Sequence, residues 1–159
     1  MLLRNLFTEF RTGEPFLWGV IIGIDKYQAA EYGSLNGAVA DANDMADYLH
    51  ESLIVPKEHI NVLRNSEATR AGIISAIKAL SDNPLIKEQD PILIFFAGHG
   101  CALKRPAEWI IGDSHIQGIV PCDTNTRGPD GELICAIPDY TINALLGQLA
   151  SVKGDNIVG

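Results

Sequence analysis

Cysteine is scarce in this chain. Cys101, Cys122 and Cys135 are an odd number with no CxxC spacing, which argues against a disulfide framework or a zinc site and for a reducing, cytoplasmic compartment. Basic charge is scarce too: 12 Lys and Arg stand against 20 Asp and Glu, a formal charge of −8. A nucleic-acid partner wants clustered cations, so none is expected. The longest apolar run, FLWGVIIGI from Phe16 to Ile24, is too short to cross a bilayer, so no membrane partner is expected either. The segment before it carries Arg4, Glu9, Arg11 and Glu14 where a signal peptide needs an unbroken apolar stretch. Repeats and low-complexity tracts are missing. No GxGxxG or GxxxxGKS/T follows a strand, which sets aside a nucleotide-binding doubly wound domain.

What remains is an ordinary globular mixture, 47% hydrophobic and 20% charged over 159 residues, enough for one domain with its own core. Trp18–Ile24, WGVIIGI, is apolar without alternation, the mark of a strand buried on both faces. Leu35, Val39, Ala42, Ala46, Leu49 and Leu53 recur at helical steps. HINVLRN around Val62 predicts a second strand. Thr69 is placed to cap a helix carrying Ile73, Ile74, Ile77 and Leu80, stopped by Asn83-Pro84. PILIFFA predicts a third, central strand. Connections this short imply parallel pairing through right-handed crossovers. Beyond Gly100 the pattern loosens into turns, a hairpin through Trp109–Ile111 and a loop. A last helix is predicted from Pro138, as first helical residue, to Lys153-Gly154, and DNIVG then opens a further buried strand.

His99 stands between two glycines at the end of PILIFFA. Ligands and catalytic groups gather at the carboxyl ends of strands in open α/β sheets. Flanking glycines permit a tight turn and close approach of a substrate backbone, and Gly100 can offer an unhindered N–H to a developing oxyanion. A plain loop histidine is the alternative at this level.

WGVIIGIDKY, LNGAVADANDMADYL, ATRAGIISAIKAL, DPILIFFAGHG, IVPCDTN and IPDYTINALLGQLA occur in the order and spacing of the caspase-like cysteine peptidases, and the chain most resembles the metacaspase-type (peptidase C14) caspase-domain proteins. The resemblance implies an α/β, three-layer fold with a mostly parallel sheet flanked by helices, its C-terminal part missing. It implies an N-terminal extension over 1–17 and the N-terminal portion of the domain over 18–159. His99 becomes the imidazole of a Cys–His dyad acting on a polypeptide substrate, and Gly100 one donor of the oxyanion hole. The family's nucleophile follows the next core strand, in a stretch like Asp-Cys-Cys-His-Ser-Gly, and that strand has just begun at Asn156–Val158. The expectation is a nucleophile absent from this chain, hence a fragment inactive alone. Cys101 shares a loop with His99, and Cys122 and Cys135 fall where the family has no nucleophile; a free cysteine is more often a small buried hydrophobe.

Resemblance also assigns the substrate pocket. Asp41, flanking the apolar stripe next to Ala38 and Met45, would select Arg or Lys before the cleaved bond, with Ala97, Gly98 and Asp123 also lining the groove. Leu35 stands where caspases that cut after aspartate have arginine. Ala38 replaces a cysteine common in metacaspases, and Ala97 a serine or similar residue. A solvated acidic face accounts for Asp44 and Asp47, and helix N-terminal charge for Asp139. No cofactor is expected. Asp123 and Asp139 match positions that bind calcium in some members, so calcium stays open, although no compact loop of oxygen ligands is present. His50, His59 and His115 are expected at the surface. The rival in another class is a non-catalytic caspase-fold module, a scaffold or decoy pairing its exposed sheet edge with a related chain; the isolated chain is in either case expected to associate with itself or with a missing C-terminal part.

Overall fold

The computed structural model describes residues 16–104 and 115–159. Its centre is β1 (Trp18–Gly23), six consecutive buried residues. β2 (Ile60–Arg64) lies on one side of it, β3 (Ile92–Ala97) on the other, and β7 (Ile157–Val158) beyond β3. All three pairings are parallel, with Trp18 opposite Ile92, Gly23 opposite Ala97, and Ile92 opposite Ile157. The apolar run without alternation predicts this arrangement: a strand covered on both faces has no wet side to encode.

The two faces bury different partners. Val20, Ile22 and Ile24 pack in one cluster with Ile73, Ala76, Ile77 and Leu80 of α2 (Arg70–Asp82) and Leu145 and Leu149 of α3 (Asp139–Lys153). Ile21 packs in a second with Ala42 of α1 (Ala38–Asp47), Leu49 and Val55. Each fully buried isoleucine contributes about 1.5–3 kcal/mol. Gly23 lets α1 come close, since a Cβ there would sit 2.6 Å from the Ala38 carbonyl oxygen and from the Ala42 Cβ. This close approach holds the first turn of α1 at the carboxyl end of β1. Thr69 caps α2 as expected, its Oγ1 accepting the Gly72 N–H at 3.0 Å.

Several expectations are corrected. The α1 stripe does not run on to Leu53: the backbone widens into a π turn over Tyr48–Ser52, and Leu53 is exposed. Pro138 precedes α3 rather than opening it. The stretch after Gly100 is not only turns, for β4 (Gly100–Lys104), β5 (His115–Ile119) and β6 (Ile137–Pro138) form a separate antiparallel sheet. The hairpin expected through Trp109–Ile111 lies outside the described residues, as do the N-terminal extension through Pro15 and the side chain of His115. No helix among the described residues is long and apolar enough to cross a membrane.

Candidate active site

His99 sits at the junction of the two sheets, after the last residue of β3 and before the first of β4. Four contacts fix it. Its N–H donates to the Tyr27 hydroxyl at 2.7 Å, and its carbonyl accepts the Val120 N–H at 3.0 Å. Its ring lies 4.9 Å from that of Tyr27. Its Nε2 is 2.8 Å from the Gly33 carbonyl oxygen. A carbonyl can only accept, so this contact assigns the proton of the neutral ring to Nε2 and leaves the lone pair on Nδ1. The neutral imidazole thereby keeps one defined accepting nitrogen, Nδ1.

The loop between β1 and α1 supplies both Tyr27 and Gly33, and it is tied down along its length. Asp25 accepts the Ala38 and Val39 N–H groups at 2.9 and 3.3 Å, a long-range cap for α1, whose own preceding residue Gly37 offers none. Asn65, in the left-handed region at φ 44°, accepts the Asp25 and Lys26 N–H groups through Oδ1 at 2.9 and 3.0 Å. Gln28 N–H donates to the Cys122 carbonyl at 2.8 Å. Asn125, also left-handed at φ 60°, donates to Glu31 and to the Tyr32 hydroxyl. Asn and Asp tolerate that conformation better than other residues with a Cβ. Asp25 and Tyr27 close the WGVIIGIDKY stretch and Asn65 ends HINVLRN, but nothing local ties any of them to His99, and Gly33 falls outside both segments.

The two glycines serve packing and access rather than a special backbone conformation. Neither Gly98 nor Gly100 has a positive φ. Gly98 is needed because a Cβ would meet the Tyr27 hydroxyl and the Phe96 ring at 2.9 Å. Gly100 opens β4 and is exposed, with its nearest neighbour for a Cβ, the Gly118 carbonyl oxygen, at 3.6 Å. Ala97 ends β3, and its carbonyl accepts the Ile24 N–H at 2.9 Å.

Asp41 lies in the first turn of α1, at the same end of the sheet as His99, but it is exposed rather than partly buried. Asp123 is buried, and its Oδ1 accepts the Arg70 N–H at 2.8 Å, supporting the start of α2. It also lines a cavity of about 370 Å³ with Arg70, Asp130, Glu132 and Cys135. Asp139 is exposed in the first turn of α3. No group of three or more His, Cys, Asp or Glu side chains among the described residues is placed to hold a metal ion. His50 and His59 are half-buried, against expectation: the His50 Nδ1 contacts the Val55 carbonyl at 2.9 Å, and the His59 ring stacks on Trp18 at 3.6 Å.

The three thiols are not activated alike. Burial first, then the Asp123 charge, pushes Cys122 up to about 11, and burial raises Cys101. A nucleophilic cysteine needs the opposite shift. Cys135 is exposed, its Sγ 3.7 Å from the Leu133 carbonyl.

A family model described as the caspase domain, peptidase C14, matches residues 18–151. The chain is 30% identical over 87 residues to Metacaspase-1A of Aspergillus oryzae, covering 51% of this chain and 20% of that protein. It is 27% identical over 113 residues to Metacaspase III c of Phaeodactylum tricornutum, covering 69% and 33%. The crystal structure of protein GSU0716 from Geobacter sulfurreducens superposes with a TM-score of 0.65 at 23% identity, over 84% of this chain and 45% of that one. The chain thus spans a third or less of the metacaspases it matches.

Proposed function

Because the chain belongs to the caspase-domain family, of metacaspase type, we propose that it carries the histidine half of a cysteine-peptidase site that cleaves polypeptides after Arg or Lys. The observation that supports this reading best is the pinned imidazole, whose Nε2–H is committed to the Gly33 carbonyl. Nδ1 is then free to take the proton of a cysteine thiol. The thiolate attacks the scissile carbonyl, a C–S bond forms, and the oxyanion is met by the Gly100 N–H. The imidazolium, its Nε2–H still held by Gly33, returns the proton to the leaving amine as the C–N bond breaks. Water then hydrolyses the thioester.

The nucleophile of this scheme is not Cys101, Cys122 or Cys135. The raised thiols of Cys122 and Cys101 support that exclusion, since little of either is thiolate at neutral pH. Asp41 is the cation-selecting carboxylate, with Ala97, Gly98 and Asp123 along the groove. Because Asp41 is exposed, its attraction for a cation is screened, and its share of selectivity is about 1 kcal/mol or less. The test is cleavage of a peptide library by a longer form of the protein that includes its nucleophile. Cleavage after Arg or Lys, reduced about fivefold or less by Asp41→Asn, is the expected result. Cleavage after Asp would overturn the specificity, and no cleavage by the longer form would leave the non-catalytic module in its place.

A further inference from the structure

We propose that Tyr27 is a positioning residue for His99, its hydroxyl holding the histidine's main chain so that the ring meets the Gly33 carbonyl through Nε2. This rests on the reading of His99 as the base. The hydroxyl accepts the His99 N–H at 2.7 Å and is 3.3 Å from the Ile24 carbonyl, to which it donates. It therefore bridges Ile24, the residue after β1, to His99, the second residue after β3, two strands whose last pair is Gly23 with Ala97. The phenol ring meanwhile lies against the imidazole at 4.9 Å, tilted by 46°.

Two features of the surroundings make the hydroxyl more than packing. Gly98 keeps the space it occupies, because any Cβ there would approach it to 2.9 Å. His99 lies between Gly98 and Gly100, residues with the widest backbone freedom, so this segment does not hold its own conformation. Burial raises the Tyr27 hydroxyl above its ordinary 10.0, and it remains a neutral donor and acceptor at physiological pH. Tyr32, by contrast, has its ring 6.3 Å from that of His99 and its hydroxyl engaged by Asn125. It is the natural control.

The experiment is NMR of the isotope-labelled 159-residue chain, read at two places: hydrogen exchange of the His99 amide, and the tautomer of its ring from nitrogen–proton correlations. In the unsubstituted protein the amide is protected and the ring is the Nε2–H tautomer. Tyr27→Phe raises exchange at the His99 amide about tenfold, the loss of one ordinary hydrogen bond, and moves the ring toward a mixture of tautomers. Tyr32→Phe leaves both unchanged. Unaltered exchange and tautomer in Tyr27→Phe would overturn the proposal. An Nδ1–H ring in the unsubstituted protein would instead contradict the base assignment, while the amide still reports on Tyr27. If Tyr27→Phe does not fold, 3-fluorotyrosine incorporated throughout keeps every hydroxyl but makes it a weaker acceptor. Faster exchange at the His99 amide then supports the proposal, and an unchanged rate overturns it.

Discussion

The tautomer of a neutral histidine is set by what holds one of its nitrogens, and for His99 that partner is a backbone carbonyl 66 residues earlier in the chain. The imidazole itself was legible in the sequence, because a polar residue ending an apolar strand stands out. Its contacts with Gly33 and Tyr27 were not: a carbonyl has no side-chain signature, and Tyr27, although it closes the WGVIIGIDKY stretch, is 72 residues from His99. The same limit explains His59, expected at the surface: the stacking partner Trp18 lies 41 positions away, and no local pattern links the two rings. With the protein folded, an alkylating reagent should modify exposed Cys135 well before buried Cys122, as peptide mapping would show. Cys122 also sets an alkaline limit. Its folded value of about 11 lies above the ordinary 9.0, so the unfolded chain releases this proton first as pH rises. The stability contributed by the neutral thiol is complete below pH 9 and declines between 9 and about 11. Denaturant melts at pH 8 and pH 10.5 should show that decline, and Cys122→Ala should reduce it.

At the scale of elements, what was legible is what repeats. The β1, β2 and β3 strands, the Thr69 cap and the alanines of α1 follow from local pattern. The π turn at Tyr48–Ser52 and the β4–β5–β6 sheet do not, because strands of two to five residues with glycine and proline in them look like loops until their partners are known. Two close approaches decide how the elements meet. Gly23→Ala would force a methyl against the Ala38 carbonyl and Ala42, at a cost of about 1–3 kcal/mol. It should displace the first turn of α1 and with it Asp41, visible as lost thermal stability and shifted Asp41 resonances. Lys153, buried at the end of α3, donates to the Asn83 and Ile86 carbonyls at 2.8 and 2.9 Å. It fastens that helix to the loop before β3. Lys153→Met keeps the apolar stem but orphans both carbonyls, and should lower stability by about 2–3 kcal/mol in denaturant melts. Asp25→Ala removes the remote cap of α1 and should cost about 0.5–2 kcal/mol, with the loop carrying Gly33 loosened in hydrogen exchange.

Taken whole, the molecule places a parallel sheet between helices and stands the second, antiparallel sheet at its carboxyl end, so that His99 falls where the two meet. The parallel topology could be anticipated from alternating strand and helix patterns with short connections. The position of the β1–α1 loop over the site could not, because it depends on Asp25, Asn65 and Asn125 reaching across the fold. In the reading proposed above, this assembly supplies a base whose nucleophile is none of Cys101, Cys122 and Cys135. The direct measurement is to expose the 159-residue chain to a peptidyl-arginine reagent that alkylates activated cysteines and to weigh the intact protein beside its His99→Ala variant. Both proteins should label equally slowly, and at Cys135 alone. Rapid labelling of any cysteine that disappears with His99→Ala would show that Cys101, Cys122 or Cys135 is the nucleophile after all.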